Sequence, residues 1–291
     1  MKFKSKFINL FIIIISSLIT IFILEACLIF LEKKNSIQKN YISKYEFVKN
    51  YENEYKKNIF PASHPDFNIT NNEFIPLGDI SYTQIALCNE SGDWSLFKSD
   101  RYGFNNKDQL WDNNNKILLV GDSYVQGACV KSEENISSQI MKKSDHKVLS
   151  LANSKTGPLS QLGFLLEYIE LIKPTKIIWF YYEGNDFEDL KFEKKNLIAQ
   201  KYLDDQVQNL KEKQYEVDYI LKQKILNYKK NQTSEFTLFI KLTRIKNFLY
   251  TLYSIYRPYS EKDLNIYKKI VTKFKKTASQ YNSEFYLVYV P

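Results

Sequence analysis

Three short stretches hold the residues whose types and spacing could do chemistry. Gly121-Asp122-Ser123 closes the aliphatic run Ile117-Leu118-Leu119-Val120, Ser154-Lys155-Thr156-Gly157-Pro158 closes a second run, and Glu183-Gly184-Asn185-Asp186 closes a third. An aliphatic run bounded by turn formers reads as a strand buried in a parallel sheet. Residues just past the carboxyl ends of such strands stand where open α/β sheets bind ligands. A serine hydroxyl there is a poor nucleophile until a base takes its proton. Gly, Asp and Ser are also ordinary loop residues, so the first stretch draws its weight from the two that follow it.

A serine, a glycine turn and an asparagine, each at the end of a successive strand, resemble the blocks of the SGNH (GDSL-type) hydrolases. The resemblance covers roughly Arg101 to Pro291. It implies that Ser123 is the nucleophile and that its backbone N–H helps form the oxyanion hole. It implies that Asn185 donates its side-chain amide to the same hole. The family's second block supplies a glycine N–H; Lys155 stands at that position here, with Gly157 two residues on. The third block also departs from Gly-x-Asn-Asp, its glycine displaced by one. In the reaction implied, Ser123 Oγ attacks an ester carbonyl. The negative oxygen is held by the N–H groups of Ser123 and of Lys155 or Gly157, and by Asn185 Nδ2. Such donors are each worth ~10²–10³ in rate. Asp122 reads as a structural turn residue and Asp186 as the residue that holds Asn185 or its loop.

The same family carries an Asp-x-x-His block near its C-terminus, in which His is the base. This chain has two histidines, His64 and His146, and neither lies in such a block. His146, in Lys143-Ser144-Asp145-His146-Lys147, reads as a solvated loop residue, and His64 is an outside alternative as base. The sequence runs out at Phe285-Tyr286-Leu287-Val288-Tyr289-Val290-Pro291, which reads as another core strand. The expectation is a chain cut before its catalytic block. It would be nearly inert as written, since losing one triad member costs ~10⁴-fold or more. The competing expectation, from another class, is a non-catalytic module of the same fold that binds glycan or a partner through the same cleft.

The elements that must position these residues read β (Lys116–Val120), α (about 134–143), β (Lys147–Leu151), α (Leu159–Ile172) and β (Lys176–Tyr182). A helix Glu261–Tyr281 and a strand Phe285–Val290 follow. This alternation makes a parallel sheet with right-handed crossovers. The fold class expected is α/β, a three-layer, flavodoxin-like parallel sheet with an N-terminal transmembrane helix and a helical insertion. Phe7 to Leu24 is uncharged and apolar character resumes through Leu31, long enough to cross a ~30 Å hydrocarbon core. Lys2, Lys4 and Lys6 precede this stretch and Lys33, Lys34 and Lys39 follow it. It reads as an uncleaved anchor with the N-terminus cytoplasmic and the main domain extracytoplasmic.

The domain plan is therefore an anchor at 1–34, a stalk and loop-rich lead-in at 35–115, and the hydrolase-like domain at 116–291. An insertion occupies about 187–260. The stalk, to about Asn58, reads as helical. The lead-in contains Ser99-Asp100-Arg101-Tyr102-Gly103-Phe104-Asn105-Asn106, which resembles the lead-in of membrane-anchored members of the family; a loop packing aromatics on the sheet edge is the equal alternative. The aromatic part of the insertion, Phe236 to Tyr253, is expected to cap the sheet's carboxyl edge, with a membrane-facing surface as the alternative. Cys27 lies in the anchor, which leaves Cys88 and Cys129 as one candidate disulfide outside the cytoplasm.

Composition frames the rest. The 291 residues are 44% hydrophobic and 15% aromatic, enough for a sizeable core. The net charge of +8 is spread over lysines mixed with glutamates, and no nucleic-acid-binding motif is present. Three cysteines and two scattered histidines give no metal-ligand spacing, and no phosphate-binding loop appears. Neither cofactor nor metal is expected. The partners expected are an acylated glycan or lipid substrate and the membrane itself.

Overall fold

The computed structural model describes residues 2–38, 44–65, 74–90, 92–113, 116–230, 235–256 and 260–291. Lys39, and the parts of the stalk and lead-in at 39–43, 66–73 and 91, lie outside the described residues. The elements run α1 (Lys2–Gln38), α2 (Lys44–Tyr55), β1 (Ile59–Pro61), β2 (Gln84–Cys88), β3 (Ser95–Lys98), β4 (Lys116–Gly121) and α3 (Ser123–Gln126). They continue with α4 (Ile136–Lys143), β5 (Lys147–Ala152), α5 (Pro158–Ile172), β6 (Lys176–Tyr182), α6 (Asp186–Glu193), α7 (Leu197–Gln200) and α8 (Gln214–Lys230). The last four are α9 (Glu235–Ile240), α10 (Thr243–Tyr256), α11 (Glu261–Gln280) and β7 (Glu284–Val290). The chain divides into two compact units. One comprises Met1–Ile42 and Tyr228–Pro258, the other Ser43–Asn227 and Tyr259–Pro291.

The second unit is built on a four-stranded parallel sheet in the order β5-β4-β6-β7. β4 is buried along its whole length, which explains its unbroken aliphatic sequence: a central strand with cover on both faces needs apolar residues on both. The two-residue period divides them. Leu118 and Val120 join Leu149, Leu151, Ile177 and Trp179 under α5 and α11, where Phe274 stacks on Trp179 at 4.2 Å. Ile117 and Leu119 join Val148, Val125 and Ile136 on the opposite face. Helices therefore cover both faces of a parallel sheet, as the alternating pattern requires. Lys173 ends α5 in the left-handed conformation at φ 44° just before Pro174. β7 pairs with β6 from Lys176↔Glu284 to Tyr182↔Val290, and Tyr286, Leu287 and Tyr289 are exposed along it.

The lead-in holds more order than its turn-rich sequence implies. β1, β2 and β3 form a separate three-stranded sheet, β1 parallel and β3 antiparallel to β2. Cys88 at the end of β2 is bridged to Cys129, with the Cα atoms 5.3 Å apart. Closing that 41-residue separation stabilises by ~3–4 kcal/mol in the chain-entropy account. Asp100, fully buried, organises the next segment. One carboxylate oxygen accepts from the backbone of Tyr102 and Phe104, and the other from Asn106 Nδ2 and Trp111 Nε1. Asn106 then exchanges two hydrogen bonds, each 2.9 Å, with the backbone of Ser150. Ser150 lies on the outer strand β5, so a side-chain amide satisfies part of an otherwise open edge. Residues 99–106 thus pack on the sheet edge, with Phe104 edge-on to Phe164 and Tyr168.

The first unit contains α1, α9 and α10. Within α1, Asn9–Glu32 is long and apolar enough to cross a membrane. The insertion is divided between the units: α6, α7 and most of α8 belong with the sheet, whereas α9 and α10 belong with α1. Within the first unit, the aromatic segment meets α1, with Phe239 5.4 Å from Phe22. Most of its large apolar residues, Phe236, Ile240, Phe248, Leu249 and Tyr253 among them, are exposed.

Candidate active site

Ser123 opens α3 directly after β4. The turn is that abrupt because residue 121 is glycine: a Cβ there would meet Val125 Cγ2 at 2.5 Å. Asp122 is the N-cap of α3, its carboxylate accepting from Tyr124 N at 3.0 Å, which is the structural role its sequence position suggests. Ser123 Oγ lies 3.4 Å from Asp122 Oδ2 and donates to no histidine. That separation is long for an O–H···O bond, so the hydroxyl is only loosely held. It is half-buried.

The second turn follows β5, the neighbour of β4. Lys155 adopts a left-handed conformation at φ 59°, the region where glycine is at ease and a side chain costs energy. Among the described residues the Lys155 N–H makes no hydrogen bond, whereas the Gly157 N–H donates to Glu193 Oε1 at 2.8 Å. Of the two expected oxyanion donors, Gly157 is therefore committed elsewhere and Lys155 is open. Gly157 has a different reason to be glycine: a Cβ would sit 2.9 Å from Asp189 Cβ and 2.8 Å from Leu190 N. The amino end of α5 could not then pack against α6.

Asn185 follows β6, the other neighbour of β4, as the N-cap of α6. Its Nδ2 donates to Asp189 Oδ2 at 3.2 Å, and its Oδ1 is buried with no hydrogen-bond partner. Asp186 accepts from Tyr182 N at 2.8 Å and from Gln161 Nε2 at 3.0 Å. Gln161 is in turn held by Trp179 Nε1. Asp186 thus closes the loop that carries Asn185. The three turns lie at the carboxyl ends of adjacent strands, and further contacts tie them together: the Tyr124 and Tyr182 rings are 4.6 Å apart.

What the sequence reading missed is an acidic cluster, Asp122, Asp186, Asp189 and Glu193. Burial raises the Asp186 carboxyl to about 8, and the nearby Asp122 adds to the shift. Burial raises Asp189 to about 7, with Glu193 and Asp122 contributing. Burial also raises Glu193 and Asp122, against the hydrogen bonds each accepts. The signal was present: positions 186, 189 and 193 fall on one face of a helix. Their charge made that face look solvated.

His146 does not complete the site. His146 is exposed and precedes the amino end of β5, at the opposite end of the sheet from Ser123. His64 is exposed, next to Ser63, which donates to Asp79. Among the described residues no group of three His, Cys, Asp or Glu side chains is placed to hold a metal ion. No protein-family model matches the chain, and no curated protein matches it.

Proposed function

We propose that the chain is a serine ester hydrolase or acyl transferase of the SGNH type, anchored in a membrane and acting outside the cytoplasm. The observation that carries this reading is the juxtaposition of Ser123, Lys155 and Asn185 beyond the carboxyl ends of three adjacent parallel strands. Ser123 Oγ adds to the ester carbonyl as its proton passes to a base. The carbonyl oxygen becomes negative and is held by the backbone N–H groups of Ser123 and Lys155. The second Nδ2 proton of Asn185, the one not used by Asp189, joins them. Collapse expels the alcohol and leaves an acyl-Ser123 ester. Water, or an acceptor hydroxyl in a transferase, then takes the acyl group. Asp189 and Asp186 are positioning residues in this scheme, holding Asn185 and its loop. The base is the group the reading still requires. The Cys88–Cys129 bridge supports an oxidising compartment. An apolar span behind Lys2, Lys4 and Lys6 supports the N-terminus inside. Acyl esters on envelope glycans or lipids are the substrates such a location offers.

A second reading is favoured by one specific observation. Among the described residues Ser123 Oγ hydrogen-bonds only Asp122, and Asn185 is tied to Asp189, an arrangement equally suited to a binding module of the same fold that has no base. Labelling separates the two. Protein expressed from its own gene and taken from the envelope fraction is treated with a fluorophosphonate probe; labelling that disappears in Ser123→Ala is the expected result. No labelling of the wild type, or equal labelling of the alanine variant, overturns the nucleophile assignment. For a labelling protein, Asn185→Ala is expected to lower kcat by ~10²–10³ with KM and melting temperature little changed. A collapse of melting temperature at unchanged kcat would assign Asn185 to the fold.

A further inference from the structure

Glu25 is an anomaly inside the apolar helix α1. It lies within the candidate span Asn9–Glu32, yet it is fully buried while most of its neighbours are exposed. Its two carboxylate oxygens accept from Arg244 N and Ile245 N, each at 3.0 Å. These are N–H groups of the first turn of α10, which no intrahelical carbonyl can satisfy. The residue that precedes α10 is Leu242, at φ 51°, and a leucine has no side-chain acceptor to cap them. One helical turn pair further along α1, Glu32 takes Arg244 Nε at 3.1 Å. Phe22, Glu25 and Glu32 lie on one stripe of α1 at helical spacing, and that stripe receives α9 and the start of α10. A carboxylate within a membrane span is costly unless it faces protein. Here it faces a helix N-terminus, whose partial positive charge suits it.

The docked helix is itself amphipathic. Ile245, Phe248, Leu249 and Leu252 recur at i, i+3, i+4 and i+7, while Lys246, Asn247 and Thr251 occupy the other side. Phe248 and Leu249 are more than half exposed, at 53% and 57%, so α1 and α9 leave this apolar stripe uncovered. α10 is 14 residues long, about 21 Å at 1.5 Å per residue, too short to cross a ~30 Å core. Tyr250 and Tyr253 give it rings of the kind that favour the boundary between headgroups and acyl chains.

We propose that α10 is a second membrane-contacting element: an interfacial helix, held on α1 by the Glu25 carboxylate, whose Phe248–Leu249–Leu252 stripe lies in the acyl chains of the leaflet at the Glu25 end of the span. The occupant of the exposed stripe is phospholipid. The observations that specify lipid are that the helix is seated on the apolar span itself, through Glu25 and Glu32, and its own amphipathic division. The inference rests on reading α1 as a span, and the experiment separates the two.

The full chain, with Cys27→Ser as background and Cys88–Cys129 left bridged, is given single cysteines at Leu18 on α1, at Leu249 and separately at Phe248 on α10, and at Tyr219 on α8. Each is labelled with an environment-sensitive fluorophore. The proteins are reconstituted in phosphatidylcholine vesicles, with and without doxyl-labelled acyl chains. Loss of emission at positions 249 and 248 comparable with that at position 18, and absent at position 219, is the expected result. Loss at position 18 with positions 248 and 249 behaving like position 219 overturns the inference while sparing the span, and would assign the stripe to a protein partner. No loss at position 18 overturns both.

Discussion

Glu193 and Glu25 perform the same task in two different surroundings. Each is a buried carboxylate that reaches from a distant part of the chain to cap a helix whose own preceding residue cannot. Glu193 accepts from Gly157, Leu159 and Ser160 at the start of α5, where the N-cap is a glycine and Pro158 offers no N–H. Glu25 accepts from Arg244 and Ile245 at the start of α10, across a separation of about two hundred residues (219 for the Arg244 bond). The surroundings differ. Glu193 is enclosed by the sheet's helices, and burial pushes its carboxyl up despite several N–H donors. Glu25 is fully buried where α10 meets α1, on a helix whose other apolar residues are mostly exposed. Helix-terminus electrostatics can therefore serve both as an internal fastener of a core and as the docking site between two helices. What decides the role is the environment that the neighbouring side chains create.

Removing each carboxylate sharpens the comparison. Glu193→Ala leaves the start of α5 without its acceptor and is expected to cost the sheet unit about 3 kcal/mol. In a unit of this size that is about 6–12 °C in melting temperature. Glu25→Ala is expected to leave that transition where it is, because Glu25 belongs to the other unit. Thermal unfolding followed by near-UV dichroism of the sheet's tryptophans reads this out. An equal fall in both variants would break the distinction drawn between the two carboxylates.

The acidic cluster provides a test in pH. Asp186 is raised to about 8 from an ordinary value of 3.8, so between these values the folded protein holds a proton that the unfolded chain has released. Stability is then greatest below the lower value and falls as pH rises toward the upper. Asp189, raised to about 7, and Asp79 and Asp100, raised to about 6, act in the same direction. Urea melts are expected to show a sheet unit less stable at pH 8.5 than at pH 5, and Asp186→Asn is expected to shrink that difference. A stability that climbs over this range would show that the cluster is not protonated in the fold.

The smallest effect concerns the left-handed lysine. Lys155→Gly relieves a side-chain clash at φ 59° and is expected to add up to about 1 kcal/mol. The gain should appear as a rise in melting temperature of a few degrees or less. A fall would mean that the Lys155 side chain makes a contribution larger than its backbone strain.

Much of this architecture was legible because it is written in short-range pattern. Ile117–Val120 and Lys176–Tyr182 are apolar because strands covered on both faces must be, and Lys173-Pro174 halts a helix for steric reasons that need no tertiary context. The lead-in was not legible. β1 to β3 are three to five residues long, shorter than any periodicity that a window can detect. Asn106 bonds the edge of β5 through a pairing that only proximity to Ser150 could announce.

The sequence by itself determined the order of strands and helices, the glycine turns after β4 and β5, and the apolar span near the N-terminus. It also determined which cysteines were free to pair. Each of these follows from local sterics, from hydrophobic period or from counting. Only the tertiary structure decided that the Gly157 N–H goes to Glu193 and the Lys155 N–H stays open. Only it seated Phe239 and Arg244 on α1, and gathered four carboxylates beside Ser123. These are questions of which distant groups share a low-dielectric neighbourhood, where hydrogen bonds and desolvation act over a few ångströms, and no spacing along the chain encodes that distance.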